Sequence, residues 1–277
     1  MKKNIILLIA AIVLTACSEN EEQSVTNTMV NLTFTPYEMT GITRATTSIS
    51  TYCTHLDIWL TEGTETQSYH QTSDDVQFGS ISLSLNRLKT YTLIAVAHKC
   101  ASDATLTDGI IAFPDDKVTH SMVYTTTFTP STTTTINCVM QRIVGWFRLE
   151  IADAVPSDVT KIVYTIPSTY NRWNVTSSAA ANQLDRTGTI NLTSVNSDGT
   201  ANINLYVMPS SLTATDHYDI TISAQTSTDE VIEEKAFASV PIRADYKTTY
   251  HGQFFTTETM TMTFTANDWQ TFETTEF

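Results

Sequence analysis

The clearest indication of fold class is the alternation in Ser80-Ile81-Ser82-Leu83-Ser84-Leu85. Successive side chains of a β-strand point to opposite faces of a sheet. This stretch therefore predicts a strand with an apolar face toward a core and a hydroxyl face toward solvent.

Similar runs recur along the whole chain, and threonine, which is β-branched, accounts for 52 of the 277 residues. No window of twelve or more residues keeps an apolar repeat of 3.6, so helices are expected to be short and few. Many short strands with frequent turns are typical of β-sandwiches. The other alternating apolar sets are Val30, Leu32 and Phe34; Leu56, Ile58 and Leu60; Phe147, Leu149 and Ile151; Ile162, Tyr164 and Ile166; Ile203, Leu205 and Val207; Ile220, Ile222 and Ala224; and Met260, Met262 and Phe264.

Three local features refine this prediction. The continuous apolar run from Tyr91 to Ala97 indicates a strand that is buried on both faces. Asp198-Gly199, between two alternating runs, predicts a β-hairpin. One short helix is expected near Ser177–Leu184, and the boundary between two domains near Met140–Gly145.

The N-terminus has the pattern of a bacterial lipoprotein signal. Lys2 and Lys3 precede an apolar run of ten residues, which is too short to span a bilayer. The run ends in Leu14-Thr15-Ala16-Cys17, a lipobox-like sequence that predicts cleavage before Cys17 and acylation of its thiol. We therefore expect a signal peptide at 1–16 and an acidic tether at 17–28.

The charge balance argues against one class of partner. Removal of the signal peptide with its two lysines leaves 13 basic and 29 acidic residues, a net charge of −16. Nucleic-acid binding depends on neutralising phosphates with Lys and Arg, so no nucleic-acid partner is expected.

The lipid is the predicted membrane contact, and two or more acyl chains suffice for stable anchoring.

The remaining cysteines, Cys53, Cys100 and Cys138, are an odd number and do not form a disulfide framework. If one pair forms, Cys53–Cys100 is expected. The alternative is that all three are small buried apolar residues.

No constellation of residues predicts catalysis. The sequence contains no G-x-S-x-G, P-loop or G-x-G-x-x-G pattern. His98 and Cys100 share one strand face, but two ligands do not make a zinc site. No catalytic residue, metal or cofactor is therefore expected.

Two roles stay open for the four tryptophans, sugar stacking and core packing. They are Trp59, Trp146, Trp173 and Trp269.

Two stretches, together with the lipobox, carry a resemblance. Gln141–Ile151 (QRIVGWFRLEI) resembles the strand that opens the second domain of the fimbrial anchor family of Bacteroidetes. Val240–Gly252 (VPIRADYKTTYHG) resembles a late motif of the same family. Shaft and tip fimbrillins share similar features, so those subunit types stay open as alternatives.

The resemblance implies two tandem transthyretin-like antiparallel β-sandwiches, here at 29–140 and 141–277, that hold a fimbrium to the outer membrane at the cell surface. It also implies contact between fimbrial subunits by strand exchange, in which a partner strand completes an unpaired sheet edge. The candidate strands are the N-terminal Val30, Leu32 and Phe34 and the C-terminal Met260, Met262 and Phe264.

Arg44, within Thr43-Arg44-Ala45, bears on the type of subunit. In shaft subunits of this kind, cleavage after an arginine releases the N-terminal strand. Such a cut in an anchor would free the body from its lipid. Arg44 is thus a candidate processing site or an ordinary loop residue. The sequence predicts a fimbrial anchor or assembly subunit, with a shaft or tip fimbrillin or a surface glycan-binding lipoprotein as the alternatives.

Overall fold

The computed structural model of the chain describes residues 26–37, 48–132, 134–192, 199–256 and 260–266. Across these ranges the regular structure consists of β-strands and two short 3-10 turns, Ile49–Thr51 and Pro114–Asp116. The predicted all-β fold class is confirmed. In the part of the chain that is described, no helix has the length and apolar character needed to cross a bilayer.

The N-terminal half forms a seven-stranded sheet in the order β3-β2-β5-β8-β9-β1-β4. Only two residue pairs join β8 to β9. The strands β3-β2-β5-β8 therefore form one layer, and β9-β1-β4 form the other. Both layers contribute to one apolar core. The strands are β1 (Asn27–Pro36), β2 (His55–Glu62), β3 (Glu65–Thr72), β4 (Ser80–Asn86), β5 (Tyr91–His98), β8 (Met122–Phe128) and β9 (Thr134–Arg142), with β6 (Thr105–Thr107) and β7 (Ile110–Ala112) between β5 and β8.

The C-terminal half has two sheets around a second core. One sheet has the order β13-β10-β16-β17, and the other has the order β15-β14-β11-β7-β6, with β12 on the opposite edge of β11. The strands are β10 (Gly145–Ile151), β11 (Lys161–Asn174), β12 (Ala179–Asn191), β13 (Ala201–Val207), β14 (Thr215–Gln225), β15 (Val231–Arg243), β16 (Tyr246–Gly252) and β17 (Thr261–Ala266).

The pairing is mostly antiparallel, with one parallel pair in each half. β1 runs parallel to β9, and β10 runs parallel to β16. A parallel pair needs a crossover connection, which places strands that are distant in sequence side by side. The mixed pairing was not visible in the alternation, because period two is the same for both directions.

In most strands, period two correctly identifies the side chains that form the cores; β17 is an exception, because its Met262 is 47% exposed. Val30, Leu32 and Phe34 of β1 are buried, and so is nearly all of β5, which lies between β2 and β8. The expectation that Tyr91–Ala97 is buried on both faces is thus confirmed.

Two local predictions were wrong. β12 and β13 do not form a hairpin: β12 pairs with β11 and β13 pairs with β10, in different sheets. A turn signal predicts a local reversal at Asp198-Gly199, but β12 pairs with the strand that precedes it, β11, and β13 pairs with the more distant β10. The helix expected near Ser177–Leu184 is instead a turn followed by the start of β12, where pairing with β11 overrides the helical propensity of three alanines.

The two halves meet between β9, which ends at Arg142, and β10, which begins at Gly145. A Cβ on Gly145 would lie 2.6 Å from the carbonyl oxygen of Arg243, so only glycine allows this close approach. The first core continues past the junction to Trp173 and Tyr206, and the β6–β7 hairpin joins the sheet of the second half. The limits 29–140 and 141–277 therefore stay a prediction.

Candidate functional site

The N-terminal candidate strand lies inside the fold. β1 pairs along one edge with β4 and along the other with β9. Each of the three side chains Val30, Leu32 and Phe34 is at most 2% exposed. In the intact chain, β1 therefore already occupies a central position in its sheet and presents no open edge.

The C-terminal candidate strand lies at a sheet edge. β17 pairs with β16 from Tyr246↔Ala266 to His251↔Thr261, and in the described part of the chain its other edge has no strand partner. Met262 is 47% exposed, while Phe264 stacks on Tyr246 with the ring centroids 5.1 Å apart. Met260 packs against the second core.

A groove of about 690 Å³ lies next to Met260, on the side of the second half where β15 is the edge strand. Its walls include β15 residues 233–238 and the side chains of Phe237, Tyr250, Phe255 and Met260. The Asp153 carboxylate accepts hydrogen bonds of 2.7 Å from the N–H groups of Phe254 and Phe255. These bonds hold the segment after β16 so that Phe254 lies in the second core and Phe255 lines the groove.

A second cleft, of about 430 Å³, lies between the two halves. Lys99 and Lys117 come from the first half, and Tyr164, Arg186 and Tyr206 come from the second. Arg186 donates to the carbonyl oxygens of Tyr206 and Val118 and stacks over the Tyr164 ring at 5.4 Å. The described residues that line this cleft include no Asp or Glu, although the whole chain carries a net charge of −14.

A buried arginine connects the halves beside this cleft. Arg142 donates hydrogen bonds to Asp245 Oδ1 at 3.0 Å, to the Tyr37 carbonyl at 2.9 Å and to His120 Nε2 at 3.1 Å. Its guanidinium also lies 4.9 Å from the Tyr52 ring centroid. Burial, together with the nearby cations Arg142 and Lys99, holds the pKa of His120 well below its ordinary value.

A polar cluster that the sequence analysis did not identify lies in the first half. Asp57, on β2, contacts His70 Nδ1 at 2.7 Å and His98 Nε2 at 2.8 Å, and it accepts the Ala104 N–H at 2.8 Å. Burial alone would raise the pKa of the Asp57 carboxyl, but the hydrogen bonds from His98, His70 and Ala104 lower it. Burial also opposes the charged form of His98, but the interactions with Asp57 and Cys100 together outweigh it, so the pKa of His98 rises to about 9.

No sequence signal could have found this cluster, because its members lie on separate strands and loops. His98 contacts Asp57 rather than sharing a metal with Cys100, whose thiol bonds to the Lys117 carbonyl at 3.4 Å. The pairing β2–β3 and β2–β5 brings the cluster together.

The other candidate residues have clear outcomes where the structure describes them. Trp59, Trp146 and Trp173 are buried, so sugar stacking on these three indoles is wrong, and core packing explains them. Cys53, Cys100 and Cys138 are buried and form no disulfide, so the Cys53–Cys100 pair is wrong. Burial raises the pKa of the Cys138 thiol to about 12. Cys17, Arg44 and Trp269 lie outside the described residues.

Comparison with known proteins shows the fold. The sequence matches no protein-family model and no curated protein. A solved candidate cell adhesion protein from Bacteroides ovatus is 14% identical, with a TM-score of 0.50, 87% of this chain covered and 96% of that chain. A candidate adhesin from the same species is 11% identical, with a TM-score of 0.51 and coverage of 86% and 96%.

Candidate polysaccharide-binding proteins from Bacteroides thetaiotaomicron are also similar, at 8% identity and a TM-score of 0.53, with coverage of 82% and 92%. At these identities the likeness concerns the fold alone. The chain shares its β-rich architecture with these Bacteroides proteins over nearly their whole length.

Proposed function

We propose that the chain is a lipid-anchored fimbrial anchor or assembly subunit of the outer membrane, exposed at the cell surface and without catalytic activity. It attaches a fimbrium through β-strand contact with a fimbrial subunit. The observation that carries this proposal is the edge of β17, which has no strand partner in the described part of the chain, beside the groove at Phe237, Tyr250 and Met260.

An open sheet edge presents unpaired N–H and C=O groups that a partner strand can pair with. Affinity in such complexes comes from main-chain hydrogen bonds, and specificity comes from pockets for alternate side chains. Phe237, Tyr250 and Met260 supply apolar surface for such side chains, while Glu233, Glu234 and Lys235 of the edge strand β15 add charge to the groove. The adhesion role named for the two Bacteroides ovatus structures supports the same class of function.

Retention of β1 in the mature protein is what an anchor requires, whereas a polymerising subunit would release it. In an intact chain, β1 fills the position between β4 and β9, and the lipid on Cys17 stays connected to the body. A cut after Arg44 would separate Val30, Leu32 and Phe34 covalently from the rest of the fold. Release of β1 would then expose a long apolar slot for a partner strand.

Mass spectrometry of membrane-extracted protein tests the processing. An acylated N-terminus at Cys17 on an uncut chain is expected for the anchor. A mature N-terminus at Ala45 would show a shaft or tip subunit instead.

Deletion of the gene followed by electron microscopy of the cell surface tests the role. Cells without the protein are expected to shed their fimbriae or to lose control of fimbrial length. Fimbriae that stay attached and unchanged in the deletion strain would refute the proposal.

A matched pair of substitutions tests whether the fimbrial subunit contacts the edge of β17. Met262→Lys places a charge on the open edge strand, whereas Val76→Lys changes a fully exposed apolar residue in the first half. Met262→Lys is expected to reduce recovery of fimbrial subunits with the membrane-extracted protein, and Val76→Lys is expected to leave it unchanged. Equal recovery from both variants would exclude the β17 edge as the contact.

The cleft between the halves supports a second candidate, glycan binding. Lys99, Lys117 and Arg186 supply positive charge to the cleft, which favours acidic sugars. One of the similar structures carries a polysaccharide-binding description. Polygalacturonate binding, weakened by added salt and by Lys117→Ala, would support this candidate. Binding that Lys117→Ala leaves unchanged would place any glycan elsewhere.

A further inference from the structure

Four ionisable side chains of the first half converge where β2, β3 and β5 lie side by side. Asp57 is on β2, His70 is on β3, His98 ends β5, and Asp103 lies in the loop before β6. The Asp57 side chain is completely buried, whereas those of His70 and Asp103 are 39% and 51% exposed. The cluster therefore extends from the core to solvent.

Asp57 is held in one orientation from within the core. His98 Nε2 lies 2.8 Å from Oδ2, and the Ala104 N–H donates to the same oxygen at 2.8 Å. Oδ1 is thereby directed at His70 Nδ1, which lies 2.7 Å away. Partners behind a carboxylate that fix its orientation are typical of metal sites, where they tune affinity.

Asp57 Oδ1, His70 Nδ1 and Asp103 Oδ2 are separated by distances that suit the ligands of one small cation. Asp57 Oδ1 and Asp103 Oδ2 lie 2.7 Å and 3.6 Å from His70 Nδ1, and all three atoms lie within 4.8 Å of one another. Zinc binds nitrogen and oxygen at about 2.0–2.2 Å in tetrahedral geometry, which places neighbouring ligands roughly 3.4 Å apart. The observed separations bracket that value.

We propose that Asp57 Oδ1, His70 Nδ1 and Asp103 Oδ2 bind a divalent transition-metal ion, with Zn²⁺ the best match. One imidazole and two carboxylates favour zinc over calcium or magnesium, which prefer oxygen ligands. The ion replaces the hydrogen on His70 Nδ1, and a water molecule completes the coordination from the solvent side. This inference is independent of the fimbrial proposal.

A bound ion would connect the β2–β3 hairpin to the loop that leads into β6 and β7. Through β7, that loop pairs with Arg172–Asn174 of β11 in the second half. The metal would thus stabilise a segment that bridges the two halves. Because anything that binds only the folded state stabilises it, added Zn²⁺ is expected to raise the Tm.

Isothermal titration of the full-length, detergent-solubilised protein with ZnCl₂ tests the site. Asp103→Asn is the decisive variant, because it removes a ligand charge without touching the Asp57–His70 hydrogen bond. His70→Ala removes the imidazole. Each is expected to weaken Zn²⁺ binding by at least the 10- to 100-fold that loss of an outer-shell partner costs.

His251→Gln serves as the matched control. His251 Nδ1 lies 3.3 Å from Glu150 Oε2, so it is a second histidine–carboxylate pair. In the described part of the chain, no third carboxylate or imidazole joins that pair. Its substitution is expected to leave Zn²⁺ binding unchanged.

A second measurement tests the coordination geometry of the proposed metal site. Co²⁺ in a tetrahedral N/O site gives visible d–d absorption, which is expected for the wild-type protein and for His251→Gln but not for His70→Ala. Absence of Zn²⁺ binding to the wild-type protein would overturn the proposal. So would binding that survives both Asp103→Asn and His70→Ala, since the ion would then lie elsewhere.

Discussion

At the scale of single residues, Arg142 is the most heavily bonded charged side chain of the junction. Its side chain is only 2% exposed, and it bonds to Asp245, His120 and the Tyr37 carbonyl. The resemblance to fimbrial anchors drew attention to the stretch that contains it, but nothing in that stretch identifies Asp245 as its partner, 103 positions away.

Arg142→Met is expected to lower the free energy of unfolding by roughly 3–5 kcal/mol, because it leaves Asp245 charged without its cation. Chemical denaturation monitored by tryptophan fluorescence measures the change. Arg172→Met is the control, because Arg172 is 43% exposed and lies 3.9 Å from Asp116. A loss for Arg142→Met no larger than that of the control would show that the buried pair is not a stabilising contact.

His120 makes the protein sensitive to mild acid. Its pKa in the folded chain is lowered by burial and by Arg142. As the pH falls below about 6.5, the unfolded chain binds a proton that the folded chain does not, so stability falls by up to ~1.4 kcal/mol per pH unit. Above that pH, both states are neutral at this position and the contribution vanishes.

His120→Gln keeps an acceptor for Arg142 Nε but cannot titrate. The unfolding free energy of the variant is expected to decline less steeply than that of the wild type below about pH 6.5, and in parallel with it at higher pH. Urea denaturation at a series of pH values measures both curves. Parallel curves over the whole range would show that His120 does not titrate differently in the two states.

At the scale of elements, the two candidate strands differ in environment although their sequences alternate alike. β1 is paired on both edges and buried, whereas β17 has one partner and an exposed Met262. The alternation of Val30, Leu32 and Phe34 correctly predicts a strand and its core face. It contains no information on how many neighbours the strand has.

Leu32→Ala is expected to cost about 2–5 kcal/mol of unfolding free energy, because it leaves a cavity in the first core. Met262→Ala is expected to change it by less than about 0.5 kcal/mol, because the side chain is half exposed. Equilibrium denaturation of the two variants side by side measures the difference. Similar losses for both would mean that β17 is covered in solution.

At the scale of the whole molecule, two apolar cores and the contacts between them account for the fold without any disulfide among the described cysteines. The first core extends into the second half, and the β6–β7 hairpin crosses in the same direction. These shared elements explain why a boundary assigned from sequence alone does not separate the residues of the two cores.

A reducing agent is therefore expected to leave the Tm unchanged, and Cys53, Cys100 and Cys138 should react with a thiol reagent only after denaturation. Labelling followed by mass spectrometry counts the modified thiols in each state. A lower Tm in reductant would indicate a disulfide and contradict the assignment of free thiols.

The amino-acid order was sufficient for the fold class and the buried face of most strands, because period two is a property of a few neighbouring positions. The tertiary structure alone decided the partners of each strand, the burial of Trp59, Trp146 and Trp173, the Arg142–Asp245 pair and the Asp57–His70–Asp103 cluster. Those features depend on which strands lie side by side, and residues that are tens of positions apart contact one another only after the sheets have assembled.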